Sequence, residues 1–170
     1  MPHLIAALYK DVDNAQQAVA VLKKQHLGNE ISIVAKDKTG IVKNQIAKEE
    51  SRGVAGGAVI GGSLGALLGL FSAVTPVVVA GLGTLLVMGP LVAVWGITGG
   101  ALGALAGGVM GVFTQAGIDK NVAQTYLRRI EKGDILVAVA IDHNQEELVG
   151  SILKTFHASN VYVSHGQEKV

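Results

Sequence analysis

The side chains with most to offer a metal in this 170-residue chain are its five histidines. His3 and His165 lie near the two ends of the chain, and they come close together if the first and last strands are antiparallel neighbours. Two imidazoles without a third ligand make a poor site. His26, His143 and His157 fall near helix ends or loops and are assigned no role. Asp142-His143 with Ser151 contains the types needed for acyl transfer, but no nucleophile elbow and no oxyanion-hole glycine turn accompany them. The glycine-rich centre lacks the pattern G-x-x-x-x-G-K-[ST], and no lysine occurs between Lys48 and Lys120, which argues against phosphate binding there. The chain has no Cys, so disulfides and thiolate metal sites are excluded. The expectation is no catalytic residue, no metal and no cofactor.

The strongest pattern is physical rather than catalytic. From Gly53 to Ile118 there is no Asp, Glu, Lys, Arg or His, and most of the chain's 23 glycines fall in that stretch. Gly53, Gly57, Gly61, Gly65 and Gly69 repeat every fourth residue, and so do Gly99, Gly103, Gly107 and Gly111, each set lining one face of a helix. In water each glycine costs a helix about 0.5–1 kcal/mol relative to Ala, whereas in lipid the peptide groups must be bonded internally and small residues let backbones approach. The intervening residues are Ala, Val, Ile, Leu, Met and Phe, not the Ser and Asn of a flexible linker. Gly53 to Val74 would extend about 33 Å as a helix, against a hydrocarbon core of about 30 Å. Thr75 and Pro76 stop it. Pro76 and Pro90 bracket too few residues for a further pass, so the stretch is expected to form two zipper helices packed on each other. The piece from Val77 to Pro90 is then the tip, re-entrant or lying in the far interface.

The elements around this insert come in two groups. His3 to Lys10 reads as a strand, Asp13 as a helix cap with Ala15, Ala18, Val19 and Leu22 on the apolar face, and Glu30 to Lys36 as a second strand. Beyond the insert, Ala123, Tyr126, Leu127 and Ile130 mark a helix and Ile135–Ile141 a strongly apolar strand. Asn144 with Glu147 signals a cap, Val149, Ile152, Leu153 and Phe156 a second helix, and Val161–Ser164 the last strand. Together these predict an α+β chain, a ferredoxin-like domain carrying a long glycine-zipper transmembrane-type hairpin at its midpoint. The divisions are 1–40 for the first half, 41–52 for a polar connector, 53–116 for the hairpin and 117–170 for the second half. If the halves share one sheet, both ends of the hairpin lie on one side of the bilayer, and two passes, or a deep monotopic insertion, are expected. The strand Ile135–Ile141 is apolar on both faces, and the domain's own two helices cover only one. A second copy's sheet is the simplest cover, so a homo-oligomer is expected.

A β-α-β start, the segments GGAVIGGSLGALLG and GGALGALAGGVMG, and Gly117-Ile118 leading through a helix with Tyr126 into GDILVAVAID resemble the bacterial general stress protein 17M-like and low-temperature-induced proteins. The resemblance implies a stress-associated bacterial protein with no catalytic residues to carry across. A net charge of +1 and few aromatic residues argue against nucleic acid. Lys43, Lys48, Arg52 and Lys120 flank the hairpin and are candidates for anionic headgroups, with Trp95 a candidate interfacial anchor. No export signal opens the chain, so the polar domain is expected on the cytoplasmic face of the inner membrane. The expected function is non-enzymatic: membrane lipid as partner, self-association, and organisation of the bilayer through the zipper. The alternatives are a pore or complex subunit gated by the domain, or a particle that encloses lipid. No small-molecule ligand can be read from the residues.

Overall fold

The computed structural model describes residues 3–27, 31–37, 67, 75–79, 82–90 and 108–164. The chain is α+β. Strand β1 (His3–Tyr9) leads to helix α1 (Val12–Lys24) and strand β2 (Ile31–Lys36). Strands β3 (Thr75–Val79) and β4 (Gly83–Met88) follow. Helices α2 (Gly108–Gln115) and α3 (Lys120–Glu131) precede strand β5 (Ile135–Ile141), and a 3-10 turn, helix α4 (Glu146–Thr155) and strand β6 (Ser159–Ser164) complete the order. The six strands form one sheet in the order β3-β4-β2-β5-β1-β6, every pair antiparallel. β1 and β6, from the two ends of the chain, are neighbours, and both strands of the first half pair with β5 of the second.

Local chemistry accounts for the element ends. Asp11 caps α1, its carboxylate accepting from Asp13 N at 2.9 Å, so the cap lies two residues before the expected Asp13. Asp119 caps α3 in the same way through Asn121 N at 2.8 Å. Ahead of α4, Gln145 reaches back to accept from Asp142 N, in place of the expected Asn144–Glu147 signal. Gly117, at φ +85°, turns the chain between α2 and α3.

Two expectations change. The tip of the apolar insert is a β-hairpin in the sheet: β3 pairs with β4 from Thr75↔Val87 to Val79↔Gly83, and β4 pairs with β2 from Ile33↔Met88 to Lys36↔Leu85. Pro76 falls in the outermost strand, where a missing N–H costs no ladder bond on the solvent side. The expected packing of the two zippers on each other lies outside the described residues; Leu67 and Phe113, which are described, are buried in different clusters. Leu67 joins the one formed by α1, α4 and residues such as Ile33 and Val137, and Phe113 the one formed by α3 with Leu8, Val34 and Leu136. The sheet runs between the two clusters, because strand residues alternate between its faces. Finally, the second face of β5 needs no partner's sheet. Ala123, Tyr126 and Ile130 of α3 are fully buried against it, so the fold has three layers, helices on both sides of one sheet. With that, the ground on which a homo-oligomer was expected is gone.

The connectivity follows from the registers. β2 ends beside the start of β4, where Asp37 N donates to Thr84 O at 2.9 Å, and β3 starts at the opposite end of the sheet, where Thr75 faces Val87. Asp37 and Thr75 therefore lie at opposite ends of the sheet. Residues 91–107 leave after β4 and rejoin at α2, packed on α3. Among the described residues no helix is long and apolar enough to cross a membrane.

Candidate functional site

Of the ladder glycines, Gly53, Gly57, Gly61, Gly65, Gly69, Gly99, Gly103 and Gly107 lie outside the described residues, as do Lys43, Lys48, Arg52, Trp95 and His165. Gly111 lies in α2, where its carbonyl accepts from Thr114 Oγ1 at 3.0 Å. Lys120 opens α3 and is exposed.

The residues that might have made a hydrolase are spent on structure. Ser151 Oγ donates to Leu148 O at 2.8 Å within α4, and the Asp142 backbone is held by Gln145. His143 turns its ring onto His3, with centroids 3.6 Å apart and planes tilted by 56°. His3 is itself buried at the start of β1, and its Nδ1 lies 3.1 Å from Ser164 O. A carbonyl only accepts, so Nδ1 carries the proton. Ser164 also accepts from Leu4 N through Oγ at 2.9 Å, which pins the end of β6 to the start of β1. Among the described residues no three His, Cys, Asp or Glu side chains are grouped to hold a metal.

Two tyrosines anchor the helical layers. Tyr126 of α3 lies with its hydroxyl 3.0 Å from Ala6 O and 2.6 Å from Asn160 O. Asn160 sits at φ +51° in the irregular start of β6, where the register against β1 shifts between Ala6 and Leu8, and this turn aims its carbonyl inward. On the other face, Tyr9 donates to Leu153 O of α4 at 3.0 Å. Burial pushes both phenols well above the ordinary tyrosine value, Tyr126 with a smaller contribution from Tyr162. Arg129 of α3 pairs with Asp134 and reaches Asn160 Oδ1 at 3.3 Å and Ser159 Oγ at 3.4 Å.

An open groove of about 560 Å³ runs between α4 and the free edge of β6. Ile5, Val161 and Val163 form its floor, and Glu146, Gly150 and Lys154 are among the residues along its α4 wall. The row Glu146, Gly150, Lys154 went unnoticed in the sequence although its i, i+4, i+8 spacing is plain there. The apolar positions of the same helix dominate its periodicity. No protein family, curated protein or solved structure matches the chain.

Proposed function

We propose that this chain is a non-enzymatic, self-associating protein that attaches to one face of a lipid bilayer through its two glycine-rich apolar runs, as a monotopic rather than a spanning protein. The observation that carries this reading is the tethering of both runs to one sheet. A run that starts and ends on the same rigid body must cross a bilayer an even number of times. Neither uncharged run, 53–74 or 91–107, approaches the roughly 40 residues that two passes require. Each can dip into one leaflet, where glycine ladders satisfy their own peptide groups and pack closely. The same tethering argues against a pore. On this reading the polar domain faces the cytoplasm at the inner membrane. Lys43, Lys48, Arg52 and Lys120 meet anionic headgroups, and the stress association carried by the sequence resemblance is a role in bilayer organisation.

A second reading is favoured by one residue. Leu67 is fully buried in the cluster under α1 and α4, which places part of the first run against the sheet. If both runs continue in this way, they are outer layers of a water-soluble particle, alone or around captured lipid.

Flotation with vesicles of phosphatidylethanolamine and phosphatidylglycerol, followed by a high-salt wash at neutral pH, separates the two. Protein that floats and resists salt supports monotopic attachment; protein left at the bottom of the gradient as a defined particle sinks it.

A further inference from the structure

Among the described residues β6 is an edge strand of the sheet, and that edge and the wall of the groove above it carry a self-complementary pattern. Glu146, Gly150 and Lys154 form one row along α4 at i, i+4 and i+8, all facing the groove. Glu146 and Lys154 are about 12 Å apart along the helix, too far to pair with each other. Neither has an ion-pair partner among the described residues. A Cβ added at Gly150 would meet nothing within 4 Å, so the middle of the row is open.

We propose that this edge is a two-fold interface between two copies of the chain, with α4 antiparallel to its mate and the axis passing at Gly150. About such an axis, position 146 of one copy meets position 154 of the other, so each Glu146 faces a Lys154 and the glycines face each other. Parallel docking would instead set Glu146 against Glu146, so the charges select the antiparallel arrangement. The spacing agrees. α4 touches both β1 and β6. Joining two β6 edges at the usual strand separation of about 4.8 Å puts the two α4 axes about 10 Å apart, at the upper end of the normal helix-packing range of about 8–10 Å. Val161 and Val163, partly buried in the single copy, gain cover. The irregular start of β6 at Asn160 leaves residues 161–164 as the length that can pair edge to edge. The interface deepens the self-association in the function proposed above and is independent of its membrane half.

The chain's lack of cysteine makes the test direct. In the full chain, Gly150→Cys places a thiol beside its own copy, while Gln124→Cys on the exposed side of α3 does not. Mild oxidation should give a covalent dimer of the first at protein concentrations where the second stays monomeric. In the cysteine-free chain, Glu146→Lys and Lys154→Glu should each weaken association at least tenfold, and the double exchange should restore most of it. Both positions are on the outer side of α4, so the charge series remains informative if substitutions at Gly150 disturb the fold. Equal cross-linking of the two cysteine variants, unchanged association of the single reversals, or no recovery in the double variant overturns the proposal. Running the oxidation on floated and unfloated protein separates this from the membrane reading: a cross-linked dimer confined to the unfloated fraction upholds the interface and sinks the attachment, and floated protein without cross-link does the reverse.

Discussion

At the scale of single residues, backbone conformation and buried hydroxyls make the sharpest predictions. Gly89 and Gly83 share a left-handed φ, near +83° and +84°, yet differ in surroundings. A Cβ on Gly89 would lie 1.9 Å from Ile31 O, whereas one on Gly83 would meet nothing within 4 Å. Gly83→Ala should therefore cost about 1–2 kcal/mol, the left-handed penalty alone. Gly89→Ala adds overpacking against backbone that cannot move aside, for a total of about 2–5 kcal/mol. Urea denaturation of the two variants should show the difference. Tyr126→Phe removes the only donor offered to Asn160 O by α3 and should cost about 1–3 kcal/mol. The same tyrosines set an alkaline limit. Burial raises the folded-state pKa of Tyr9 and Tyr126 above their unfolded value of 10.0. The neutral phenols thus contribute fully below that pH, and their contribution fades as pH climbs past it. Denaturation midpoints of Tyr9→Phe and Tyr126→Phe should fall less steeply above pH 10 than that of the parent chain.

Elements fold into layers, and Leu67 and Phe113 are buried on opposite sides of the sheet. Leu67→Ala should cost about 2–5 kcal/mol and Phe113→Ala about 3–5 kcal/mol. Because the two residues occupy separate clusters on opposite faces, their costs should add in the double variant. Coupling between them would mean that the two clusters do not pack independently. Much at this scale was legible from the residues. The short, continuous and β-branched apolar run Ile135–Ile141 marks a buried strand, and Ala123, Tyr126 and Ile130 mark a helix face. What covers what was harder to read. In the sequence α3 reads as one more element in series, and nothing in its spacing shows that it lies as a lid over the second apolar face of β5. Thr75–Val79 and Gly83–Met88 were absorbed into an apolar run, although three successive valines between a proline and glycines are a strand signal. Continuous hydrophobicity reads alike for a buried strand and a membrane segment, and only pairing separates them. For the groove, the i, i+4, i+8 spacing of Glu146, Gly150 and Lys154 is legible in the sequence, but that the row faces the edge of β6 is not.

For the whole molecule, tethering predicts topology. Single cysteines at Ser63 and Thr98, one in each run, should react with a membrane-impermeant maleimide only from the side that carries the folded domain, or not at all. Labelling of either from the far side would show a crossing and end the monotopic reading. The pairing of distant strands also sets an order of events during synthesis. β1 has its partners at Ile135–Ile141 and Ser159–Ser164, and β2 pairs with β5 as well, so the central sheet cannot close until Ser164 has left the ribosome. The uncharged stretch beginning at Gly53 emerges well before that. At about 5–20 residues per second it waits several seconds with its sheet still incomplete. In that interval a nearby bilayer or a chaperone has first access to the glycine-rich runs, ahead of the protein's own core. Where the chain ends up is then settled partly by what it meets while being made.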